Sequence, residues 1–182
     1  MPEKDSMHHR LNAPPPAGPD TRQRKWMNYR FGARFTFGIN TFYNTELSDG
    51  SLDPAVIKME NIDTDAWVEA VSQAGMKYVI FTVKHHDGFC NWNTAHSYYN
   101  IMNSPFNLDL LAMVAGSCQA KGIKLGLYFS LSDAYVSYFD LDQKYFEYLQ
   151  AQVEELLTGY GEIVSIWFDG VWKKQLEGWG RQ

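Results

Sequence analysis

Two apolar, strand-like segments of the sequence end in side chains that can transfer protons or bind polar ligands. Residues 77–84 (KYVIFTVK) run directly into His85 and His86, and residues 163–168 (IVSIWF) run into Asp169. In α/β folds the carboxyl ends of the strands form the edge where binding and catalytic sites are built. The two strand ends together therefore predict a site that combines one carboxylate with a pair of imidazoles.

Each of these side chains also has a structural explanation. Asp169 could act as a nucleophile or base, with Trp167 stacking on a ligand ring, or it could cap the next turn. His85 and His86 would point to opposite faces if the strand continued through them. That arrangement argues against a shared metal ion and would leave one histidine in the core and one exposed. Tyr128, within a strand, is more typical of a core residue than of a functional one.

The rest of the chain alternates between strand-like and helical segments, which is the arrangement that would position these groups. Apolar β-rich segments predict strands at residues 34–42, 77–84, 123–130 and 163–168. Apolar residues at helical spacing predict helices at residues 65–74, 108–120 and 141–158. Such alternation predicts parallel strands with right-handed crossovers, so that all strand ends share one rim. A long polar loop at residues 43–53 adds Glu46, which by default is solvated.

Residues 1–25 are predicted to be a disordered leader. Proline and glycine interrupt regular structure there, at Pro14, Pro15, Pro16, Gly18 and Pro19. The leader also holds a His8-His9 pair, which is more typical of a solvated tail than of a metal site. The leader contains no apolar segment of the secretory type, and the sequence assigns no cellular compartment.

Composition narrows the class of protein. The 182 residues, 45% of them hydrophobic and 15% aromatic, suit one folded domain. A net charge of −5 argues against a nucleic-acid partner, and no apolar run approaches the roughly 18 residues of a membrane span. Two cysteines, Cys90 and Cys118, supply no disulfide framework, and Cys118 is predicted to be a small core residue.

Several well-known catalytic motifs are missing from the sequence. It has no GxxxxGK[ST] or GxGxxG phosphate loop, no GxSxG, no HExxH and no CxxC. Phosphoryl transfer, dinucleotide chemistry, serine hydrolysis and zinc proteolysis therefore lack support, and we expect neither a metal nor a cofactor. Aromatic side chains beside a carboxylate favour a sugar ligand, because the apolar faces of sugars stack on Trp and Tyr.

Four segments in order, KYVIFTVKHHDGFCNW, SPFNLDLL, KGIKLGLYFS and IVSIWFDG, resemble glycoside hydrolase family 29, the α-L-fucosidases. The resemblance extends roughly from Trp26 to Gly170, and KHHDGF followed at this spacing by WFDG is its most specific part. The stretch FGINTFYNTELSDG resembles the branch of the family that prefers branched 1,3/1,4-fucosylated chains. The resemblance implies a (β/α)8 TIM barrel and retaining hydrolysis of terminal α-L-fucosyl groups on oligosaccharides or glycoconjugates.

The resemblance also implies roles for individual residues. Asp169 matches the family's nucleophile, and His85 and His86 match histidines that bind fucose hydroxyls. The remaining matches are substrate-binding positions: Tyr128, Trp167 and Glu46. Two positions depart from the pattern, since Thr36 stands where the family usually has histidine and Leu47 where it has tryptophan. Thr36 replaces an imidazole that would contact fucose, and Leu47 removes a stacking surface.

The length of the chain suggests a barrel that is incomplete. A full barrel takes about 250 residues, whereas residues 26–182 hold four predicted strands, which we interpret as the N-terminal half of the barrel domain. The family's acid/base carboxylate would fall beyond Gln182. We therefore expect a truncated chain without turnover. Two alternatives remain: a carbohydrate-binding remnant that is not catalytic, and a scaffold that self-associates through exposed sheet edges.

Overall fold

The computed structural model describes residues 18–137 and 142–170. Residues 18–30 and the described residues from Phe31 onward form separate compact units. The first unit contains helix α1 (Thr21–Met27). Asp20 begins this helix with a capping box: its carboxylate accepts the amide N–H of Gln23 at 2.8 Å, and the Gln23 side chain accepts the amide N–H of Asp20 at 2.8 Å. Satisfying these end groups allows a helix to begin inside the predicted leader, so residues 21–25 differ from that prediction.

Four parallel strands form the sheet of the second unit, in the order β1-β2-β3-β4. They are β1 (Gly32–Phe35), β2 (Tyr78–Lys84), β3 (Lys124–Ser130) and β4 (Ile163–Asp169). The connections contain a one-turn helix α2 (Ile39–Phe42), the longer helices α3 (Thr64–Gln73), α4 (Leu110–Lys121) and α5 (Asp142–Gly159), and two 3₁₀ turns (Pro54–Val56 and Ile101–Asn103). The prediction of alternating strands and helices with parallel pairing is confirmed.

The first predicted strand was wrong in its extent. Residues 34–42 were expected to form one strand, but β1 ends at Phe35 and α2 begins at Ile39. Beyond Phe35 the backbone leaves the sheet because a side chain, rather than a neighbouring strand, takes its carbonyl. Asn91 donates through Nδ2 to the Phe37 carbonyl at 2.6 Å. This turn carries Asn40 toward the end of β2.

The hydrophobic core lies between one face of the sheet and the long helices. Alternate residues of β3, namely Leu125, Leu127 and Phe129, belong to the core cluster. The helices contribute side chains including Val68 and Val71 from α3, Leu110, Val114 and Cys118 from α4, and Leu149 and Leu156 from α5. Cys118 is thus a core residue, as predicted, and both cysteines are buried and free. Because side chains alternate along a strand, the residues between these on β3 face the opposite side.

A buried ion pair joins the end of β2 to the segment that follows β3. Lys84 and Asp133 are fully buried, with Nζ 3.2 Å from Oδ2. Lys84 also donates to Gln152 Oε1 at 2.9 Å, and its Nζ lies 4.3 Å from the centre of the Phe129 ring. Asp133 accepts the Tyr148 hydroxyl at 2.8 Å. A lysine and an aspartate can be this deeply buried because partners satisfy both charged groups.

None of the described helices is both long enough and apolar enough to span a membrane.

Removing one member of the buried Lys84–Asp133 pair should destabilise the fold strongly. In Asp133→Ala the Lys84 ammonium stays buried without its counter-charge, so the free energy of unfolding should fall by about 3–5 kcal/mol. Chemical denaturation measures the change. Glu162→Ala is the matched control, since Glu162 pairs with Lys124 at 2.6 Å on the exposed surface and should cost less than about 1 kcal/mol. Equal effects of the two variants would contradict this account.

Candidate active site

The carboxyl ends of β3 and β4 bring a tyrosine and an aspartate into direct contact. The Tyr128 hydroxyl donates to Asp169 Oδ2 at 2.6 Å, and the Gly170 amide donates to Oδ1 at 2.7 Å. The register of the sheet makes this possible, because Tyr128 lies opposite Trp167 and Ser130 opposite Asp169. Tyr128 is thus buried, as predicted for a core residue, yet its hydroxyl reaches the carboxylate at the site.

The surroundings keep Asp169 ionised. Partial burial opposes the negative charge, but the hydrogen bonds from Tyr128 and Gly170, together with the charge of Arg34 and that of His86 when it is protonated, outweigh that penalty. The pKa of Asp169 therefore lies below its ordinary value of 3.8. The pKa of Tyr128 shifts in the opposite direction. Burial raises it, and the hydrogen bond to Asp169 raises it further. The arrangement supplies a charged, oriented carboxylate and a neutral tyrosine.

His85 and His86 lie side by side, because the strand does not continue through them and the condition for opposite faces is not met. Their ring centres lie 4.5 Å apart. The strand ends at Lys84, and the chain turns at once, with the Gly88 amide donating to the His85 carbonyl at 3.1 Å. Strand alternation therefore no longer applies to the two histidines. His86 is buried beside Ser130, with Nδ1 2.7 Å from Oγ, while His85 is partly exposed and its ring lies 6.0 Å from that of Tyr128.

Arg34 is a site residue that the sequence analysis missed. Its guanidinium carbon lies 4.2 Å from the centre of the Tyr128 ring and 5.1 Å from that of Trp167. The stacking holds a positive charge above the aromatic pair and near Asp169. An arginine within an otherwise uncharged strand, GARF, was the available signal.

The other predicted site residues line a cavity of about 400 Å³ between the ends of β1 and β2. Thr36, Glu46 and His85 belong to its lining, and Arg34 lies between this cavity and the Tyr128–Asp169 pair. Two buried polar atoms of the lining, Thr82 Oγ1 and Asn91 Oδ1, have no protein partner in the described residues. A larger cavity of about 540 Å³ lies at the opposite ends of β3 and β4, away from these groups.

Two aromatic or apolar positions are open to solvent. The Trp167 side chain, packed edge-on against Tyr128 with ring centres 5.8 Å apart, is 50% exposed and can offer a face to a ligand. Leu47 is 57% exposed and lies next to Glu46, which is also exposed. The described residues contain no group of three or more His, Cys, Asp or Glu side chains suited to a metal ion.

Asp87, in the turn that follows β2, is a second carboxyl at this edge, and it is buried. It accepts the Phe89 amide at 2.6 Å and the Asn40 Nδ2 at 2.8 Å, and its Oδ2 lies 4.0 Å from His85 Nδ1. Burial, which the hydrogen bonds only partly offset, and the nearby charge of Asp133 raise the pKa of Asp87 to about 6. Asp87 thus joins the α2 segment to the histidine turn, with a pKa shifted in the opposite direction from that of Asp169.

Comparison with known proteins shows the family of this chain. The family model described as Alpha-L-fucosidase matches residues 8–182. The chain belongs to the α-L-fucosidase family. It is 34% identical over 155 residues to Alpha-L-fucosidase 1 of Arabidopsis thaliana, and 32% identical over 118 residues to the tissue alpha-L-fucosidase of Mus musculus. Those matches cover 84% and 60% of this chain, and 31% and 26% of the relatives.

A solved structure shows the same fold. A glycoside hydrolase 29 family member from an unknown rumen bacterium superimposes with a TM-score of 0.80 at 35% identity, covering 84% of this chain and 28% of that one. The parallel four-stranded sheet is therefore part of the TIM-barrel catalytic domain of the family. The chain spans about 31% of the length of its plant relative.

The raised pKa of Asp87 predicts a pH dependence of stability in this family member. The folded state binds the Asp87 proton more tightly than the unfolded state, so the contribution is full below about pH 4 and is lost as the pH rises through about 6. At about 1.4 kcal/mol per pKa unit, the loss is of order 3 kcal/mol. Denaturation of wild type and Asp87→Asn across this range should show a flatter profile for the variant.

Asp49→Asn is the control for this experiment, because Asp49 is exposed and hydrogen bonds from Ser51 lower its pKa. It should retain the fall in stability between about pH 4 and pH 6. A profile for Asp87→Asn that parallels wild type would contradict the assignment.

Proposed function

We propose that this chain carries the nucleophile and part of the sugar pocket of a retaining α-L-fucosidase acting on terminal α-L-fucosyl groups. The observation that carries the proposal is the Asp169 carboxylate, held ionised at a strand end by Tyr128 and Gly170. Membership of the family supports the reaction class, since the plant and mouse relatives are named α-L-fucosidases. Fucosylated oligosaccharides or glycoconjugates are the proposed substrates.

In the proposed first step, an oxygen of Asp169 bonds to the anomeric carbon while the bond from that carbon to the leaving oxygen breaks. A low pKa suits Asp169 to this role, because the attacking carboxylate must be ionised. The Tyr128 hydroxyl fixes one carboxylate oxygen and so limits rotation of the group. Water then releases the sugar from the covalent intermediate and restores Asp169.

Retaining hydrolysis also needs a second carboxyl, which protonates the leaving oxygen and later activates water. Three further carboxyls lie near the described strand ends. Asp87 and Asp133 are buried and engaged by Asn40, Phe89 and Lys84, so neither is placed to reach a leaving group in solvent. Glu46 is exposed at the cavity on the β1 side, and we propose it as a sugar contact. We therefore propose that the acid/base is not among the described residues of this chain, and that residues 26–182 correspond to the first four β/α units of the barrel.

The proposed sugar contacts follow from what each side chain can offer. His85 and His86 supply hydrogen bonds to hydroxyls, and Trp167 supplies an exposed ring for the apolar face of the sugar. Thr36 and Glu46 face the cavity of about 400 Å³ on the β1 side. A threonine hydroxyl can donate or accept a hydrogen bond but is shorter than a histidine, so contact there would need water or a larger sugar substituent.

Covalent trapping tests the nucleophile separately from the acid/base. We expect 2-deoxy-2-fluoro-L-fucosyl fluoride to label the chain, because fluoride leaves without protonation and the fluorine at carbon 2 slows release of the intermediate. Intact-mass spectrometry and peptide mapping should find one sugar on Asp169, with none on Asp169→Asn. Labelling of Asp169→Asn, or its absence from folded wild type, would contradict the proposal.

Asp49→Asn, which removes an exposed carboxylate, should label like wild type. With an ordinary aryl fucoside we expect no product above a blank, because protonation and water activation need the second carboxyl. Product that disappears in Asp169→Asn would confirm the nucleophile but show that a residue of this chain serves as acid/base. Thermal stabilisation by fucose without labelling would instead favour a carbohydrate-binding protein.

A second proposal concerns self-association, and exposed apolar residues on β4 favour it. Phe168 is 46% exposed and, together with Phe146, Leu149, Val153 and Leu157, lines an apolar groove of about 760 Å³ between β4 and α5. In the described residues β4 pairs with β3 and β1 pairs with β2, so each outer strand has an edge that can accept another strand. All four strands are parallel, so β1 of a second copy could continue the sheet beyond β4.

Two copies joined at both edges would supply the eight parallel strands that close a barrel. We therefore expect the sedimentation coefficient to rise with concentration to that of a two-copy particle, with or without fucose. Phe168→Lys should weaken this association by placing a charge in the groove. Tyr98→Lys, at a site 77% exposed in the β2–α4 loop, should not change it. A single species at all concentrations, or equal effects of both variants, would contradict the proposal.

A further inference from the structure

A buried serine hydroxyl next to His86 uses all of its hydrogen-bonding capacity. Ser130 Oγ lies 2.7 Å from His86 Nδ1, 2.6 Å from the Ser132 carbonyl oxygen and 3.0 Å from the Ser132 amide nitrogen. Ser130 has no exposed surface, and Ser132 and His86 are also buried. With three short contacts in a buried setting, the direction of each hydrogen bond can be deduced by counting.

A hydroxyl has one proton to donate and two lone pairs to accept with. The Ser132 carbonyl can only accept, so it takes the Ser130 proton, and the Ser132 amide can only donate, so it occupies one lone pair. The remaining lone pair faces His86 Nδ1, which must therefore carry a hydrogen. We infer that Ser130 is a positioning residue that holds His86 in its Nδ1–H form.

This assignment determines which ring nitrogen changes its protonation. With Nδ1–H held by Ser130, proton exchange takes place at Nε2, which accepts a hydrogen bond when the ring is neutral and donates one when it is charged. When His86 is protonated, its positive charge is among the influences that lower the pKa of Asp169. If the proposed fucosidase function holds, a sugar hydroxyl donates to Nε2 of the neutral ring; the Nδ1–H form itself does not depend on that function.

The same serine lies against the backbone that carries the proposed nucleophile. Gly170 has φ +91°, and a Cβ there would come within 2.9 Å of Ser132 and 3.2 Å of Ser130 Oγ. The Leu131 amide donates to the Asp169 carbonyl at 2.6 Å. A glycine after Asp169 thus allows β4 to pass close to Ser130 and Ser132. This close packing holds His86 and Asp169 in one structural unit.

Nitrogen NMR of the histidine side chains tests the inference on the 182-residue chain labelled with ¹⁵N-histidine. At a pH where the His86 ring is neutral, its Nδ1 should have the chemical shift of a protonated nitrogen and its Nε2 that of an unprotonated one. Ser130→Ala removes the acceptor and should move His86 toward the Nε2–H form. Ser132→Ala is the control, because it retains both backbone groups that bind Ser130 and should leave the His86 shifts unchanged.

An Nε2–H form of His86 in the wild-type chain would overturn the inference outright. Unchanged His86 shifts in a Ser130→Ala protein with a native amide spectrum would overturn the positioning role. Should Ser130→Ala not fold, Ser130→Cys replaces it, because a thiol of similar size is only a weak acceptor. Sugar is absent from these measurements, so a chain that shows the Nδ1–H form but fails to bind fucose would count against the proposed function alone.

Discussion

The buried pairing of Lys84 with Asp133 is the constraint on which the rest of the rim depends. It fastens the last residue of β2 to the segment after β3, and Gln152 and Tyr148 extend it to α5. A charge pair without exposed surface must keep its geometry, since any shift would leave a charge without a partner. The turn that carries His85 and His86 begins at the residue after Lys84, so the position of that turn follows from the ion pair.

The surroundings of Asp169 and Asp87, rather than the residue type, give these two carboxyl groups at the strand ends different properties. Asp169 receives hydrogen bonds from Tyr128 and Gly170 near Arg34 and His86, and it stays ionised. Asp87 is enclosed near a second negative charge, and its pKa rises to about 6. An ionised carboxylate is suited to attack, whereas an enclosed one is suited to hold neighbouring segments in place, as Asp87 does for Asn40.

Much of the fold could be predicted because its signals are local. Strands β2, β3 and β4 and the three long helices lie within two residues of their predicted bounds, since apolar periodicity and terminal glycines mark them. The prediction failed where a side chain competes with the sheet. Asn91 takes the Phe37 carbonyl and ends β1 early, and the Asp20 capping box begins α1 inside the expected leader. Asn91 and Asp20 both lie outside the segments that show apolar periodicity.

The sequence by itself determined the alternation of strands and helices and the residues that reach the rim, including His85, His86 and Asp169. Periodicity fixes the face on which a side chain lies, but it does not identify that side chain's neighbour on the next strand. Only the tertiary structure decided that Tyr128 donates to Asp169, that Arg34 lies over Tyr128, and that Ser130 lies beside His86. These contacts depend on register, which the packing of the crossover helices sets across about 40 residues of chain.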